Sequence, residues 1–250
     1  MMKRLYIYPN LTEERYINKA RHVIDFLNNK GYECIFRKQD SLIIYDKEIE
    51  FSDIDDFDVV VSLGGDGTYL RAAKFAIERS RPICGINCGN VGYLCTFNIN
   101  DLDEIDFNNL IEEEKSLLEF EYDNKKYYSV NEVVIGKDYF GGTVELEYKI
   151  KDSVRFKGDG LIICTNTGST GYNLSAGGKI FKDELIGITP ICAHSRSVDP
   201  IYVNSDSLVK VILHNKKYSA SIYSDGVLVG SFDELDIKYS DKKLVNLIKR

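Results

Sequence analysis

The strongest constraint on the fold is residues 58–68, where an apolar strand pattern runs directly into a glycine-rich turn. Val59–Val61 and Leu63 place apolar side chains on both faces of the strand, which is typical of a parallel strand buried within a sheet. The turn Gly64–Thr68 follows, and a pattern with apolar residues on one helix face continues to Arg79. A strand, a tight turn and a helix in this order predict an α/β fold with a doubly wound parallel sheet.

The same alternation of strand and helix patterns extends over residues 1–90. Leu5–Tyr8 and Pro82–Asn87 have strand patterns, and a helix that Thr12 is predicted to cap ends near Gly31. The acid-rich residues 101–121 predict a short solvated helix and a connector.

The pattern then changes to segments rich in Val, Ile, Tyr and Thr that are separated by turns. We therefore predict an N-terminal doubly wound, Rossmann-like domain over residues 1–100, to which residues 236–250 return. A mainly β C-terminal domain is predicted over residues 101–235.

Charge and cysteine usage exclude several classes of protein. The chain has 32 Lys and Arg against 39 Asp and Glu, so its net charge of −7 argues against nucleic acid or a membrane surface as partner. No run of about 18 apolar residues suggests a membrane span, and the first residues do not resemble a signal peptide. The six cysteines form no CxxC pair and only three histidines are present, so no zinc site is expected. Reduced cysteines in apolar stretches favour a cytoplasmic location.

The turn itself indicates phosphate chemistry. Gly64, Gly65 and Gly67 let the backbone approach a ligand closely, and with Thr68 they form a predicted phosphate loop at a helix N-terminus. The loop lacks the Gly-Lys-Ser/Thr of a Walker A sequence. Asp66 would repel an anion, so its carboxylate is expected either to accept a proton from a hydroxyl or to hold magnesium.

The pentad Gly64–Thr68 resembles the turn of a kinase superfamily that includes NAD kinases, diacylglycerol and sphingosine kinases and, with variation, phosphofructokinases. Further motifs in the same order resemble the NAD kinase family specifically, and they span roughly residues 58–230. These motifs are Gly85–Leu94, Asn131–Val134, Gly158–Leu161, Thr165–Gly178, Thr189–Cys192 with His194, and Asp225-Gly226.

The resemblance implies phosphoryl transfer from ATP or polyphosphate to the 2′-hydroxyl of the adenosine ribose of NAD, which produces NADP. It implies that Asp66 is the catalytic proton acceptor. It also implies that NAD is bound by Asp66, Gly67, Arg71, Asn131, Glu132, Lys157, Asp159, Thr167, Thr170, Gly171, Tyr172 and Ser175. Magnesium is expected to arrive with the phosphoryl donor, since the sequence shows no dedicated carboxylate cage. A homodimer or homotetramer is also implied.

Four positions depart from the family pattern: Asn90, Asn166, Gly171 and Val227. Gly171 stands where the family usually has alanine, which predicts a slightly roomier pocket. A lipid kinase of the diacylglycerol or sphingosine type remains an alternative, although Asn131-Glu132 and the long Thr165–Gly178 motif favour NAD kinase. A non-enzymatic dinucleotide sensor is a second alternative, but it would not require Asp66. The choice of donor, the acceptance of NADH and any feedback ligand stay open.

Overall fold

In the computed structural model, residues 3–89, 92–139, 141–194, 198–214 and 217–250 are described. The chain forms two compact units: unit 1 comprises Met1–Glu114 with Leu244–Arg250, and unit 2 comprises Lys115–Lys243. The sequence pattern predicts these two crossings at residues 100 and 236. Both crossings in the structure fall within long strands, so no loop in the sequence marks them.

Unit 1 alternates strands and helices along the chain. Its elements are β1 (Arg4–Pro9), α1 (Glu14–Asn29), β2 (Glu33–Ile35), α2 (Lys38–Tyr45), β3 (Val59–Gly64), α3 (Asp66–Arg79), β4 (Ile83–Asn87), β5 (Phe97–Asn98) and a 3₁₀ helix (Ile99–Glu104). The strands pair in the parallel order β2-β1-β3-β4. Every residue of β3 is buried, as the continuous apolar pattern predicts. The doubly wound α/β fold is therefore confirmed.

Two details of unit 1 differ from the sequence interpretation. Thr12 does not cap α1; instead its backbone N–H and its hydroxyl both donate to Asn10 Oδ1, and Glu13 occupies the N-cap position without a side-chain capping bond. Helix α2 was not predicted, because its pattern is only weakly amphipathic.

Unit 2 is built mainly from strands. Its elements, including the long strands that enter and leave it, are β6 (Ile111–Tyr122), β7 (Lys125–Ser129), β8 (Glu132–Lys137), β9 (Val144–Lys149), β10 (Ser153–Gly158), β11 (Gly160–Cys164), a 3₁₀ turn (Gly168–Thr170), α4 (Tyr172–Ser175), β12 (Leu185–Ile191), β13 (Ile201–Asn204), β14 (Val209–Leu213), β15 (Ala220–Ser224), β16 (Val227–Phe232) and β17 (Glu234–Ile248). The mainly β character of the second domain is confirmed. The acidic residues Glu112–Glu114, expected in a helix and connector, lie at the exposed start of strand β6.

The sheet that carries the predicted binding motifs has the antiparallel order β13-β12-β11-β8-β15-β16. Cys164 at the end of β11 lies opposite Glu132 at the start of β8, and Ser224 at the end of β15 lies opposite Val133. Motifs that are far apart in the sequence therefore meet at one end of this sheet. Within the described residues, no helix combines the length and the apolar character needed to cross a bilayer.

Candidate functional site

The glycine-rich turn of unit 1 connects β3 to α3, and Asp66 is the first residue of that helix. A Cβ at Gly64 would lie 2.6 Å from Thr68 Cβ, so only glycine fits beside the buried threonine. A Cβ at Gly65 would meet no protein atom within 4 Å. The turn therefore brings open backbone to the N-terminus of a helix, where N–H groups and the helix dipole favour an anion.

The Asp66 carboxylate joins this turn to the second glycine-rich segment. Its Oδ1 accepts the Tyr93 N–H at 3.1 Å and the Leu94 N–H at 3.0 Å, and its Oδ2 lies 3.0 Å from the same Tyr93 nitrogen. A Cβ at Gly92 would lie 3.3 Å from Asp66 Oδ1, so glycine allows the close approach. Asp66 thus has a structural task in addition to any chemical one.

Two cations lie close to these glycine-rich segments. The Arg71 guanidinium donates to Thr68 Oγ1 at 3.3 Å, and Arg71 Nη1 would be 3.7 Å from a Cβ at Gly67. The Lys19 ammonium donates to the Cys88 carbonyl at 2.6 Å. Arg71 was predicted from the family pattern, whereas Lys19 lies on α1, outside every motif. Asn90, one of the departures from the family pattern, lies outside the described residues.

In unit 2, the Asn131-Glu132 motif is held by Asp225, which lies in the turn between β15 and β16. Asp225 Oδ2 accepts the Val130 N–H at 2.9 Å, and its Oδ1 accepts the N–H groups of Asn131 at 2.8 Å and of Glu132 at 3.2 Å. Among the described residues, Asn131 Oδ1 and Glu132 Oε2 are buried and have no hydrogen-bond partner. Buried acceptors without a protein partner at two consecutive residues suit a ligand that donates from hydroxyl groups.

The loop after β11 packs directly on this motif. Thr165 Oγ1 donates to the Val130 carbonyl at 2.6 Å and accepts the Gly168 N–H at 3.0 Å. A Cβ at Gly168 would lie 2.5 Å from the Asn131 carbonyl carbon, so this glycine is required for the close approach. A Cβ at Gly171 would lie 3.5 Å from Glu132 Oε2. The glycine that replaces the family's alanine therefore leaves more room beside that carboxyl.

A cavity of about 370 Å³ opens beside Glu132. Tyr172, 46% exposed, contributes an aromatic ring, and the Lys137 ammonium forms an ion pair with Asp159 Oδ1 at 2.6 Å. The wall consists of Glu132, Val134, Gly136, Lys137, Asp159, Tyr172, Ile191, Tyr223 and Gly226. An apolar and aromatic wall with a few charged groups is typical of a small-molecule site.

The structure brings together some of the predicted residues of unit 2. Glu132, Asp159 and Tyr172 share the cavity wall, whereas Lys157 is exposed and outside that wall. Asn131 directly precedes Glu132, and Thr167, Thr170, Gly171 and Ser175 lie in the turn and short helix on either side of Tyr172 in the sequence. The basic residue within the wall is Lys137, which sequence reasoning missed; its only signal is its place at the end of β8, six positions after Asn131.

Burial and charge alter the acidity of Glu132. Removal of the carboxyl from water, followed by the negative charge of Asp225, raises its pKa to about 7. This side chain can therefore gain or lose a proton near neutral pH. In the described part of the chain, no three His, Cys, Asp or Glu side chains cluster in a way that would hold a metal ion.

Comparison of the fold with solved structures gives close matches over the whole chain. Yeast NADH kinase, solved in complex with NADH, has a TM-score of 0.82 at 18% identity and covers 100% of this chain and 84% of its own. An NAD kinase from Archaeoglobus fulgidus, solved in complex with ATP, has a TM-score of 0.77 at 22% identity, with coverages of 100% and 94%. This chain therefore has the same fold as these two kinases, with one α/β unit and one mainly β unit.

Sequence comparisons assign the chain to one family of proteins. Residues 7–114 match the ATP-NAD kinase N-terminal domain and residues 130–248 match the ATP-NAD kinase C-terminal domain. The NAD kinase of Acetivibrio thermocellus is 31% identical over 243 residues, which cover 90% of this chain and 84% of the relative. That of Caldicellulosiruptor bescii is 30% identical over 258 residues, with coverages of 98% and 94%. The chain belongs to the NAD kinase family, whose members are phosphotransferase enzymes.

Proposed function

We propose that this protein transfers a phosphoryl group from ATP or polyphosphate to the 2′-hydroxyl of the adenosine ribose of NAD and so produces NADP. The observation that carries the proposal is the pair of buried, unpartnered acceptors, Asn131 Oδ1 and Glu132 Oε2, beside a cavity with an aromatic wall. A ligand that combines sugar hydroxyls with flat rings satisfies both features. Family membership supplies the reaction.

In this proposal the turn of unit 1 performs the chemistry. The backbone of Gly64 and Gly65 and the N-terminus of α3 bind phosphate oxygens, and Arg71 neutralises further charge. Gly67 and Thr68 complete the phosphate loop. Asp66 accepts the proton of the attacking hydroxyl, because a secondary hydroxyl is a poor nucleophile without a positioned base. Phosphoryl transfer otherwise depends on positioning and electrostatic stabilisation.

The residues of unit 2 hold the dinucleotide. Asn131 and Glu132 accept hydrogen bonds from ribose hydroxyls, and the half-exposed Tyr172 presents its ring to a base. Asp159 is held by Lys137 within the same wall. The proposed contacts also include Lys157, Thr167, Thr170, Gly171 and Ser175.

Magnesium is proposed to enter with the phosphoryl donor. Asp66 already accepts two backbone N–H groups, and the described residues contain no carboxylate cluster that would make a resident metal site. When bound, the ion would neutralise charge on the donor's phosphates. The residues of this chain then have to bind and orient the metal–donor complex as a unit.

The ligands in the two similar structures bear on which donor and acceptor this protein uses. The archaeal kinase was solved with ATP, which supports ATP as a donor here, and the yeast kinase was solved with NADH, which makes NADH a second acceptor to test. A homodimer or homotetramer remains a proposal that light scattering on the purified protein would test.

The decisive experiment incubates the purified protein and magnesium with each acceptor and donor in turn. The acceptors are NAD, NADH, diacylglycerol and sphingosine, and the donors are ATP and polyphosphate. We expect NADP from NAD with at least one donor and no phosphorylated lipid. Lipid phosphorylation without NADP, or NAD binding without phosphoryl transfer under every condition, would contradict the proposal.

A further inference from the structure

The motif Asp225-Gly226 resembles a family sequence, yet the proposed reaction gives it no task. Asp225 and Gly226 have φ values of +48° and +75°, so they form the left-handed turn of the β15–β16 hairpin. The turn at Asp123-Asn124 has the same left-handed form, with φ values of +50° and +58°, but both of its residues are exposed. Turn geometry alone therefore does not require Asp225 to be buried.

The buried Asp225 carboxylate receives three consecutive backbone N–H groups, from Val130, Asn131 and Glu132. Its own N–H donates to the Glu132 carbonyl at 3.1 Å. Hydrogen bonds to an ionised acceptor are among the stronger ones in proteins. The start of β8 is thus clamped on this side by Asp225, and on the other side Thr165 donates its N–H to the Asn131 carbonyl at 2.9 Å.

We propose that Asp225 is a positioning residue that fixes the Glu132 carboxyl at the cavity wall and keeps one of its oxygens available to a ligand. The kinetic test of this inference rests on the proposed function, because it measures KM for NAD. The like charge of Asp225 also opposes ionisation of Glu132, so the clamp influences the protonation of the residue that it positions.

Among the residues that the structure describes, few other titratable groups lie near Glu132. The Cys164 thiol lies opposite it on β11, and burial raises the pKa of that thiol to about 12, so it stays protonated. The cavity wall adds Tyr172, Tyr223 and the Lys137–Asp159 ion pair. Asp225 is therefore the group whose removal is expected to change the titration of Glu132 most.

The test is a double-mutant cycle between Asp225→Asn and Glu132→Gln. Asparagine keeps the shape of the side chain but supplies one acceptor oxygen and no charge. We expect Asp225→Asn to raise KM for NAD by about tenfold or more, with a smaller change in kcat. If Asp225 acts through Glu132, adding Asp225→Asn to Glu132→Gln should cost less than about threefold further. Multiplicative losses would overturn the proposal.

A second measurement does not depend on activity. The Glu132 side-chain carboxyl carbon is followed by NMR as pH is varied, in the wild type and in Asp225→Asn. We expect the midpoint to fall from about 7 towards the ordinary value of 4.5, and an unchanged midpoint would refute the positioning role. A wild type that makes no NADP would refute the proposed function instead, and the titration would still decide the role of Asp225.

Two further variants complete the design. Asp123→Asn makes the same substitution in the exposed left-handed turn, and it should change neither KM nor the Glu132 titration. Asp225→Ser, which keeps a small hydrogen-bonding side chain without the charge, is used if Asp225→Asn does not fold. It is held to the same two criteria.

Discussion

The clearest test of the chemistry is Asp66→Asn, because the structure separates two tasks of this carboxylate. Both the Tyr93 and the Leu94 N–H groups lie within hydrogen-bond distance of Asp66 Oδ1, so an asparagine oxygen in that place retains an acceptor for each of them, while the second Tyr93 contact, to Oδ2, is lost. What these bonds lose is the negative charge of their acceptor, on the order of 1 kcal/mol each. We therefore expect a loss of about 2 kcal/mol in the free energy of unfolding, with a folded protein remaining.

The catalytic effect should be larger and of a different kind. A positioned base contributes about a hundred- to ten-thousandfold, and asparagine cannot accept the proton. We expect kcat for NADP formation to fall by at least about a hundredfold, which corresponds to about 2.7 kcal/mol in the activation barrier. The affinity for NAD, measured by calorimetry without donor, should change by less than about tenfold, because the hydrogen bonds that hold the turn survive.

A matched control removes a different carboxylate from unit 1. Asp101 accepts the Asn98 N–H at the start of the 3₁₀ helix, and Asp101→Asn removes one charge without touching the glycine-rich turn. Its kcat should equal that of the wild type. If Asp66→Asn turns over NAD at a near wild-type rate with ATP or polyphosphate, the carboxylate only holds the turn and the proposed mechanism is wrong.

Three other outcomes are expected. Gly168→Ala would force a Cβ to within 2.5 Å of the Asn131 carbonyl carbon and should lower the free energy of unfolding by about 3 kcal/mol or more. Gly171→Ala should lower it by less than about 1 kcal/mol. Chemical denaturation of the two variants measures both losses, and equal losses would contradict the packing argument. Glu132→Gln should raise KM for NAD more at pH 8 than at pH 6, because the wild-type carboxyl is ionised only above its raised pKa of about 7. An increase in KM that is the same at both pH values would refute the role of the ionised carboxyl. The hydrogen bond from Ser153, with those from a histidine and a lysine, lowers the pKa of Glu147 to about 2. The ionised Glu147 therefore stabilises the fold above about pH 4.5, and this stabilisation is lost as the pH falls towards 2. Glu147→Gln should be less stable than the wild type at pH 7, and acid denaturation should show the difference shrinking between pH 4.5 and pH 2.

The parts of the fold that local patterns specify were predictable. Strand β3, the turn at Gly64–Thr68 and helix α3 each follow from residues next to one another in the sequence, and the structure contains all three. Helix α2 and the strand at Glu112–Glu114 were not predicted correctly. The first has weak helical periodicity, and the second is acidic and exposed where it begins, so its identity as a strand is set by pairing further along β6.

In the candidate site, too, some residues were predictable from local motifs and others were not. Glu132, Asp159 and Tyr172 carry the resemblance, and they do meet in one cavity wall. Lys137 and the contacts of Asp225 were not foreseen, because they depend on the register of β8 against β11 and β15. That register is a property of the whole sheet and leaves no short motif in the sequence.

The path of β17 has a consequence for how the protein is made. Unit 1 is closed by residues 244–250: Asn246 pairs with Ile83 and accepts the Tyr69 hydroxyl, and the Leu247 carbonyl accepts the Thr96 hydroxyl. A ribosome synthesises these residues only after all of unit 2. The nascent α/β unit therefore waits, with its edge at β4 incomplete, while about half of the chain is still being translated. During that interval the Ile83 end of β4, which β5 does not cover, is an open strand edge, and Asn246 later pairs with it and so protects it from pairing with another chain.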